Sequence, residues 1–359
     1  MLNQIQHLIL KTLNNQESCT ARTLSESLQV DESTVSRNLR QLLQMKVVSV
    51  EGYLPASNLG GRQTRLLSIN SRFATILGVS IEQGELCLLL SDFSANPQSC
   101  KQETVKIDSR NFADVLSKVI SDYADRIDAF AIATPGLVDS SQRRIIYSQA
   151  LGIENLCLDD FVRRFGLPYV VMNDANAAAA SYSSEAKDLI YFLLSIPFEL
   201  SKPVGLGAGI VLNGNVYEGS NNCAGELGEG VPLCESSTQT LKDFLDEKDS
   251  HKELPCSERF LEHISSKIAT AVNLIDPQLI VLGGDFCMFK EQLLREIVEK
   301  VKNAVTARKI KDLDWRFDAQ GSRTIALGAI QGFLSRFFQD VDFANHVISK
   351  KGCDVNARL

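Results

Sequence analysis

The sequence predicts an α/β protein in two parts: a small helical head with a β-wing, and a larger body in which one α/β order occurs twice. Three observations carry this. Helical periodicity behind a strong N-cap fills residues 31–46; the apolar period changes to that of strands from Thr75 onward; and three strands, helix, strand, helix succeed one another twice.

The head is organised around DESTVSRNLRQLLQMK, residues 31–46. Asp31 suits an N-cap because its carboxylate accepts from unpaired first-turn amides. Val35, Leu39, Leu42 and Leu43 recur at helical spacing, while Ser33, Arg37, Arg40 and Gln44 fall in an arc of roughly 60° well away from that stripe. Arg reads guanine, Gln adenine and Ser either, and all three clamp phosphates. An ordinary amphipathic helix with a solvated face has the same pattern, so context decides. Ile5, Leu8, Ile9 and Leu13 mark a first helix, and Ala21, Leu24 and Leu28 a second; Gln29–Val30–Asp31 is the short turn that helix-turn-helix geometry needs. The valine-rich Val47-Val48-Ser49-Val50, turned back at Glu51-Gly52-Tyr53, supplies a wing. Residues 1–58 therefore predict a winged helix-turn-helix, with Ser33, Ser36, Arg37, Arg40 and Gln44 facing bases and Thr34 a phosphate. Residues 59–71 follow as a basic, Gly-rich hinge in which Arg62 and Arg65 skirt the DNA backbone; a plain linker is the alternative.

The chain has 359 residues, 44% of them apolar and 23% charged, enough for more than one globular domain. Its net charge of −7 divides unevenly. Residues 1–70 hold seven Lys/Arg against five Asp/Glu, a surplus of +2 that leaves −9 for the rest. The cationic surface is local, and the acidic body should be held away from phosphates. Nine cysteines lie scattered without paired spacing, which predicts reduced thiols in a cytoplasmic protein with no signal peptide. No apolar run approaches the roughly 18 residues that cross a bilayer, so no membrane insertion is expected.

In the body, residues 76–80 and 85–90 read as a hairpin and 105–107 as a third strand. Phe112–Tyr123 reads as an amphipathic helix, Ala129–Ala133 as a buried strand ending at Pro135-Gly136, and Asp159–Phe165 as a helix. Tyr169–Met172 is then a strand leading into the helix-forming Asn173–Ala180. The second unit has strands at 189–196, 209–212 and 215–217, a helix at 257–275, and a strand at 279–282 ending in Gly283-Gly284. Helices at 291–307 and 325–338 follow. The expected division is a first lobe of 72–185 plus 324–340, a second of 186–323, and a tail of 341–359 holding at most a short helix. Ligands bind such sheets at the carboxyl ends of strands, where Pro135-Gly136, Asn173-Asp174 and Gly283-Gly284 fall.

STVSR (33–37), GGRQTRLLSI (60–69), ATPGLVD (133–139), VVMNDANAAAA (170–180), GLGAGIVLNG (205–214), AGELGEG (224–230), NLIDPQLIVLGGDF (273–286) and ALGAIQGFL (326–334) together span nearly the whole chain. In these the chain resembles the ROK family (repressors, open reading frames and kinases), in the branch of the N-acetylglucosamine, Mlc-type and xylose repressors. The resemblance implies a winged helix-turn-helix fused to a two-lobed actin-like (RNase H-like) sugar-kinase fold. It also implies a homodimer or dimer of dimers on double-stranded operator DNA, tuned by a sugar, a sugar phosphate or a transport-system protein. The sugar site it implies comprises Gly136, Asn173, Asp174, Glu226 and Glu229, the last standing where the family has a histidine. A carboxylate and an amide at a helix head can orient a hydroxyl, though a simple N-cap pair accounts for Asn173-Asp174 as well.

Departures from the family pattern point to a regulator without metal or cofactor. Zinc in the family uses that histidine and a dense cysteine knuckle; here stand Glu229 and a sparse Cys234 and Cys256. The first phosphate loop, Asp-x-Gly-Gly-Thr in the kinases, is here Ser80-Ile81-Glu82-Gln83-Gly84, and residues 195–203 replace the second. Phosphoryl transfer needs its electrostatic parts together, so the expectation is a catalytically inactive body and a repressor of carbohydrate genes. The alternative is a ROK-type sugar kinase with a DNA-binding arm.

Overall fold

The computed structural model describes residues 1–16, 18–55, 63–82, 84–228, 230–235, 237–245, 254–306 and 313–357. The head comprises α1 (Gln4–Asn14), α2 (Ala21–Leu28) and α3 (Glu32–Gln44), then β1 (Val48–Leu54) and β2 (Thr64–Ile69). Each helix starts at a side chain that accepts from its own first-turn amides: Asn3 in a capping box with Gln6, then Thr20, then Asp31. Gln29 takes a left-handed conformation, φ 53°, which ends α2 and turns the chain into α3. Ile9, Leu10, Leu13, Leu24, Val35, Leu39 and Leu42 form the buried centre of the head.

The wing is longer than the sequence suggests. Glu51-Gly52-Tyr53 does not turn; Gly52 sits at a bulge in β1, paired with Leu66. Thr64 and Arg65, expected in a hinge, instead open the second wing strand, because Leu67 on the same strand is buried and bridged to Cys19 by amide–carbonyl bonds of 2.9 and 2.8 Å. The 59–71 hinge is thus corrected to a strand at 64–69 and a short turn at Ser71–Phe73, capped by Asn70. Arg62 lies outside the described residues.

The body follows as β3 (Ile76–Ile81), β4 (Glu85–Ser91), β5 (Pro97–Thr104), α4 (Phe112–Tyr123), β6 (Ala129–Thr134), β7 (Leu137–Asp139), β8 (Arg144–Ser148), β9 (Ile153–Cys157), α5 (Asp159–Val162), β10 (Tyr169–Asn173) and α6 (Asp174–Ser181). The second unit contains β11 (Leu189–Ser195), β12 (Gly205–Leu212), β13 (Asn215–Val216), α7 (Lys242–Leu245), α8 (Glu258–Ile275), β14 (Leu279–Gly284), α9 (Glu291–Ala304) and β15 (Asp314–Phe317). Helices α10 (Ser322–Gln339) and α11 (Val341–Ala357) close the chain. The two five-stranded sheets run β10-β6-β3-β4-β5 and β13-β12-β11-β14-β15, the same order and sense in each lobe.

Several elements depart from what the sequence predicts. The third strand is 97–104, not 105–107, because β5 is an exposed edge strand with no apolar alternation to betray it. The small sheet β7-β8-β9 and the strand β15 are too short and polar to register. The tail forms a full helix, α11. Finally, β12 starts at Gly205 rather than Gly209, since its glycines face α6: a Cβ at Gly207 would lie 3.4 Å from the Ala175 Cβ, and one at Gly209 2.0 Å from the Ala175 carbonyl.

Strand alternation sorts the side chains into layers. Ala129, Ala131 and Ala133 face inward, while Phe130 and Ile132 face out onto α4. Leu189 and Tyr191 face inward, while Ile190, Phe192 and Leu194 pack under α8 and α9. Between the sheets lie α10, on the first, and α6, on the second. The two helices meet backbone to backbone, so that a Cβ on Gly328 would stand 1.6 Å from the Ala177 carbonyl oxygen. Gly78 likewise brings β3 against the backbone of α10, 2.3 Å by the same measure from the Ala326 carbonyl.

The inner core runs on into the head. At the far end of α10, Phe337 and Phe338 stack edge-on with each other at 5.1 Å, and Phe337 meets Phe93 at 5.0 Å. The Leu2 amide donates to the Asn345 side chain on α11 at 2.5 Å, and His7 lies against the backbone of Phe338. We expect Gly328→Ala to lower the unfolding free energy by about 1–3 kcal/mol, because the added methyl must force α6 from α10. Denaturant midpoints would measure it, and an unchanged midpoint would refute the backbone contact.

Candidate nucleic-acid interface and cleft site

The face of α3 is set by polar ties at its start and along its buried stripe. Asp31 accepts from the Thr34 amide at 3.1 Å, the Thr34 hydroxyl at 2.8 Å and the Ser33 hydroxyl at 2.5 Å. These bonds, from the Ser33 and Thr34 side chains first, hold its carboxyl down to about 2. Asn38, buried on the apolar stripe, accepts from Asn3 at 2.8 Å and donates to the Thr34 carbonyl at 2.9 Å. Gln6 bonds to Gln41 nearby. The sequence reading passed over both ties, although a polar residue at position 38 of an apolar stripe was a usable signal.

With α3 fixed to α1 in this way, Ser33, Ser36, Arg37, Arg40 and Gln44 are exposed, and Thr34 is half-buried in the cap. Among the described residues neither Arg37 nor Arg40 has an ion-pair partner, so both guanidinium forks stand open to an anion. Arg65 is exposed on β2 opposite Tyr53, itself 57% exposed at the outer end of the wing.

The second candidate site lies between the lobes. Asn173 caps α6, accepting from the Asn176 amide at 3.0 Å and donating to the Gly136 carbonyl at 2.9 Å. The capping alternative for Asn173 is therefore realised, and it also ties the loop after β6 to the head of α6. Gly136 has φ 107°, and a Cβ there would lie 2.2 Å from the Tyr147 carbonyl. Asp174 accepts from the Ala175 amide at 2.8 Å. Across the cleft, Glu226 pairs with Gly207 through a β-bridge, and Gly225, φ 86°, gives its carbonyl to the Ala208 amide at 3.0 Å. Ser140 donates to Glu218 at 2.6 Å, joining one lobe to the other. Glu229 lies outside the described residues.

Four carboxyls from both lobes converge here. Burial pushes Asp174 up to about 6, and Glu226 opposite adds to the shift. Burial raises Glu226 itself. Glu82, at the end of β3, is pushed up to about 8 by burial and then by Asp174, Glu85 and Asp285. Asp285, after β14, is raised by burial although its carboxylate accepts from the Ile196 amide at 2.6 Å. In sequence Glu82 marks only the loss of a phosphate loop, and the signal for Asp285 is its place directly after Gly283-Gly284. Those glycines serve packing: a Cβ at Gly283 would lie 1.8 Å from the Tyr191 hydroxyl. Among the described residues no group of three or more His, Cys, Asp or Glu is placed to hold a metal ion.

Glu82 and Asp174 keep protons in the folded chain that the unfolded chain releases, so their contribution to stability is full at low pH and fades as pH rises. For Glu82 the loss runs from its ordinary 4.5 up through about 8. Glu82→Gln should flatten the fall in melting temperature between about pH 6 and 8. Parallel curves for the two proteins would contradict the buried, protonated carboxyl.

No helix among the described residues is long and apolar enough to cross a membrane. Comparison with known proteins gives two family matches: the ROK family over residues 80–235 and 235–331, and the MarR family over residues 2–51. A xylose repressor of Caldicellulosiruptor bescii is 22% identical, with 96% of this chain and 99% of that protein aligned. The crystal structure of a ROK family transcriptional regulator, a homologue of the E. coli MLC protein, superposes with a TM-score of 0.71 at 19% identity, covering 97% of this chain and all of the other. A ROK glucokinase from Streptomyces griseus, solved with glucose and AMPPNP, shares the body fold at TM-score 0.53 and 18% identity, over 71% of this chain and 98% of its own. The chain belongs to the ROK family, in the architecture that joins a helix-turn-helix head to a sugar-kinase-like body.

Proposed function

We propose that this protein is a cytoplasmic, sequence-specific repressor of carbohydrate genes. It binds operator DNA as a homodimer or dimer of dimers. The observation that carries the proposal is the exposed face of α3, with two open arginines on a head whose opposite face is locked to the body. In a dimer, two such helices meet half-sites spaced by a helical turn or a multiple of it. Ser33, Ser36, Arg37, Arg40 and Gln44 face bases, Thr34 a phosphate, and Arg62 and Arg65 the DNA backbone.

The switch acts through α10. Its first residue, Ser322, donates to Glu85 at 2.9 Å beside the cleft, and its last turn packs under α1. A sugar or sugar phosphate held by Gly136, Asn173, Asp174, Glu226 and Glu229 draws the lobes together, moves α6 against α10 and re-aims the heads. Its effect on DNA affinity equals its differential affinity for the two states. A transport-system protein seated on the body would act on the same joint.

The body is proposed to be catalytically inactive, because Glu82 and Asp285 occupy the strand ends where a nucleotide's phosphates need cations and open amides. A kinase is the second reading, favoured by Asp174, whose raised carboxyl suits a base. A coupled assay with ATP and a sugar panel decides it: turnover abolished by Asp174→Asn would establish the kinase. For the DNA function, Arg37→Ala should cost about 1–3 kcal/mol on operator DNA and relax one base position. Gel shifts on single-base operator variants would show this, and equal loss on every sequence would make Arg37 a phosphate contact instead.

A further inference from the structure

We infer that the cleft is built to take an uncharged polyol and to reject its phosphate ester. This rests on the cleft being the effector site, and it narrows the ligand class. A phosphate is held in proteins by open backbone amides at a helix N-terminus or by Arg and Lys. Here the amides at the floor are already spent: Asn176 on the Asn173 side chain, Ala175 on Asp174, and, from the other lobe, Ile196 on Asp285. The oxygens that fill these positions are resident carboxylates and an amide, so an incoming phosphate finds acceptors where it needs donors.

The charges around the floor repeat the message. Glu82 directly follows β3, whose Gly78 abuts α10. The groups acting on Glu82 are Asp174, Glu85 and Asp285, and Asp174 in turn feels Glu226. Lys267, on the second lobe beside the Glu226 segment, directs its ammonium to the Leu227 carbonyl. Neutral hydrogen-bonding atoms, by contrast, remain unspent at these strand ends. Ser80 Oγ and Thr134 Oγ1, 1% and 0% exposed, and, on the first turn of α6, Asn176 Oδ1, 6% exposed, have no partner among the described residues. A hydroxyl both donates to a carboxylate and accepts from a protonated one; a phosphate dianion only accepts and adds charge.

The test is calorimetry on the full-length protein with D-xylose, D-glucose and N-acetyl-D-glucosamine, and with xylose 5-phosphate and the two 6-phosphates. We expect at least one free sugar to bind and its phosphate to bind about 100-fold more weakly or not at all at about pH 7. Raising the pH to about 9 ionises Glu82 after the phosphate's own second ionisation near 6 is complete, so the gap should widen roughly tenfold. In Glu82→Gln, whose folding is checked by its melting curve, the gap should not widen. A phosphate that binds as tightly as its sugar would overturn the inference and leave the cleft as effector site. A gap that widens equally in Glu82→Gln would overturn the role of Glu82. No binding by any of the six would remove the cleft reading and the inference with it.

Discussion

The meeting of α6 and α10 at backbone distance is the constraint on which the molecule depends. The Ala-rich α6 rests on the second sheet, α10 on the first, and Gly328 lets them touch where any side chain would hold them apart. Gly78 and Gly209 do the same between each sheet and its helix. Packed interiors transmit displacement because they do not compress, and small changes there are resolved as discrete rearrangements. A cleft whose floor begins at the head of α6 is therefore mechanically joined to whatever α10 carries at its far end.

What α10 carries is the DNA-reading head. Phe337 and Phe338, the Leu2–Asn345 bond and the His7 contact dock α1 onto the α10–α11 corner. The charge division has a physical sense in this arrangement. The head presents on α3 two arginines without an ion-pair partner among the described residues, whereas the body collects carboxyls in its cleft, so the two ends carry opposite fields.

How much of this the sequence disclosed depends on the length and regularity of each signal. The cap at Asp31, the apolar stripe of α3 and the doubled β/α order were legible because each rests on several residues in register. The wing was misjudged because Gly52 reads as a turn residue, and nothing local reveals that it pairs across a bulge with Leu66. Edge strand β5 has polar residues on both faces, and β7–β9 are short, so neither produced a period. In the cleft, Asn173, Asp174 and Glu226 followed from their motif. The convergence of Glu82 and Asp285 needed the fold, because 203 positions separate them in the chain. That Gly207, Gly209 and Gly283 serve packing also needed the fold, since only the folded chain sets Ala175 and Tyr191 against them.

The central claim is that occupancy of the cleft sets the grip of the head on DNA. The most direct measurement titrates the full-length protein into DNA from its own promoter region, at low ionic strength, with and without a saturating sugar that binds it. The account predicts that the sugar weakens binding by about 5- to 150-fold, the usual range of coupling between sites, while the salt dependence of the complex keeps its slope. Equal affinity in the two titrations, with the sugar demonstrably bound, would contradict it.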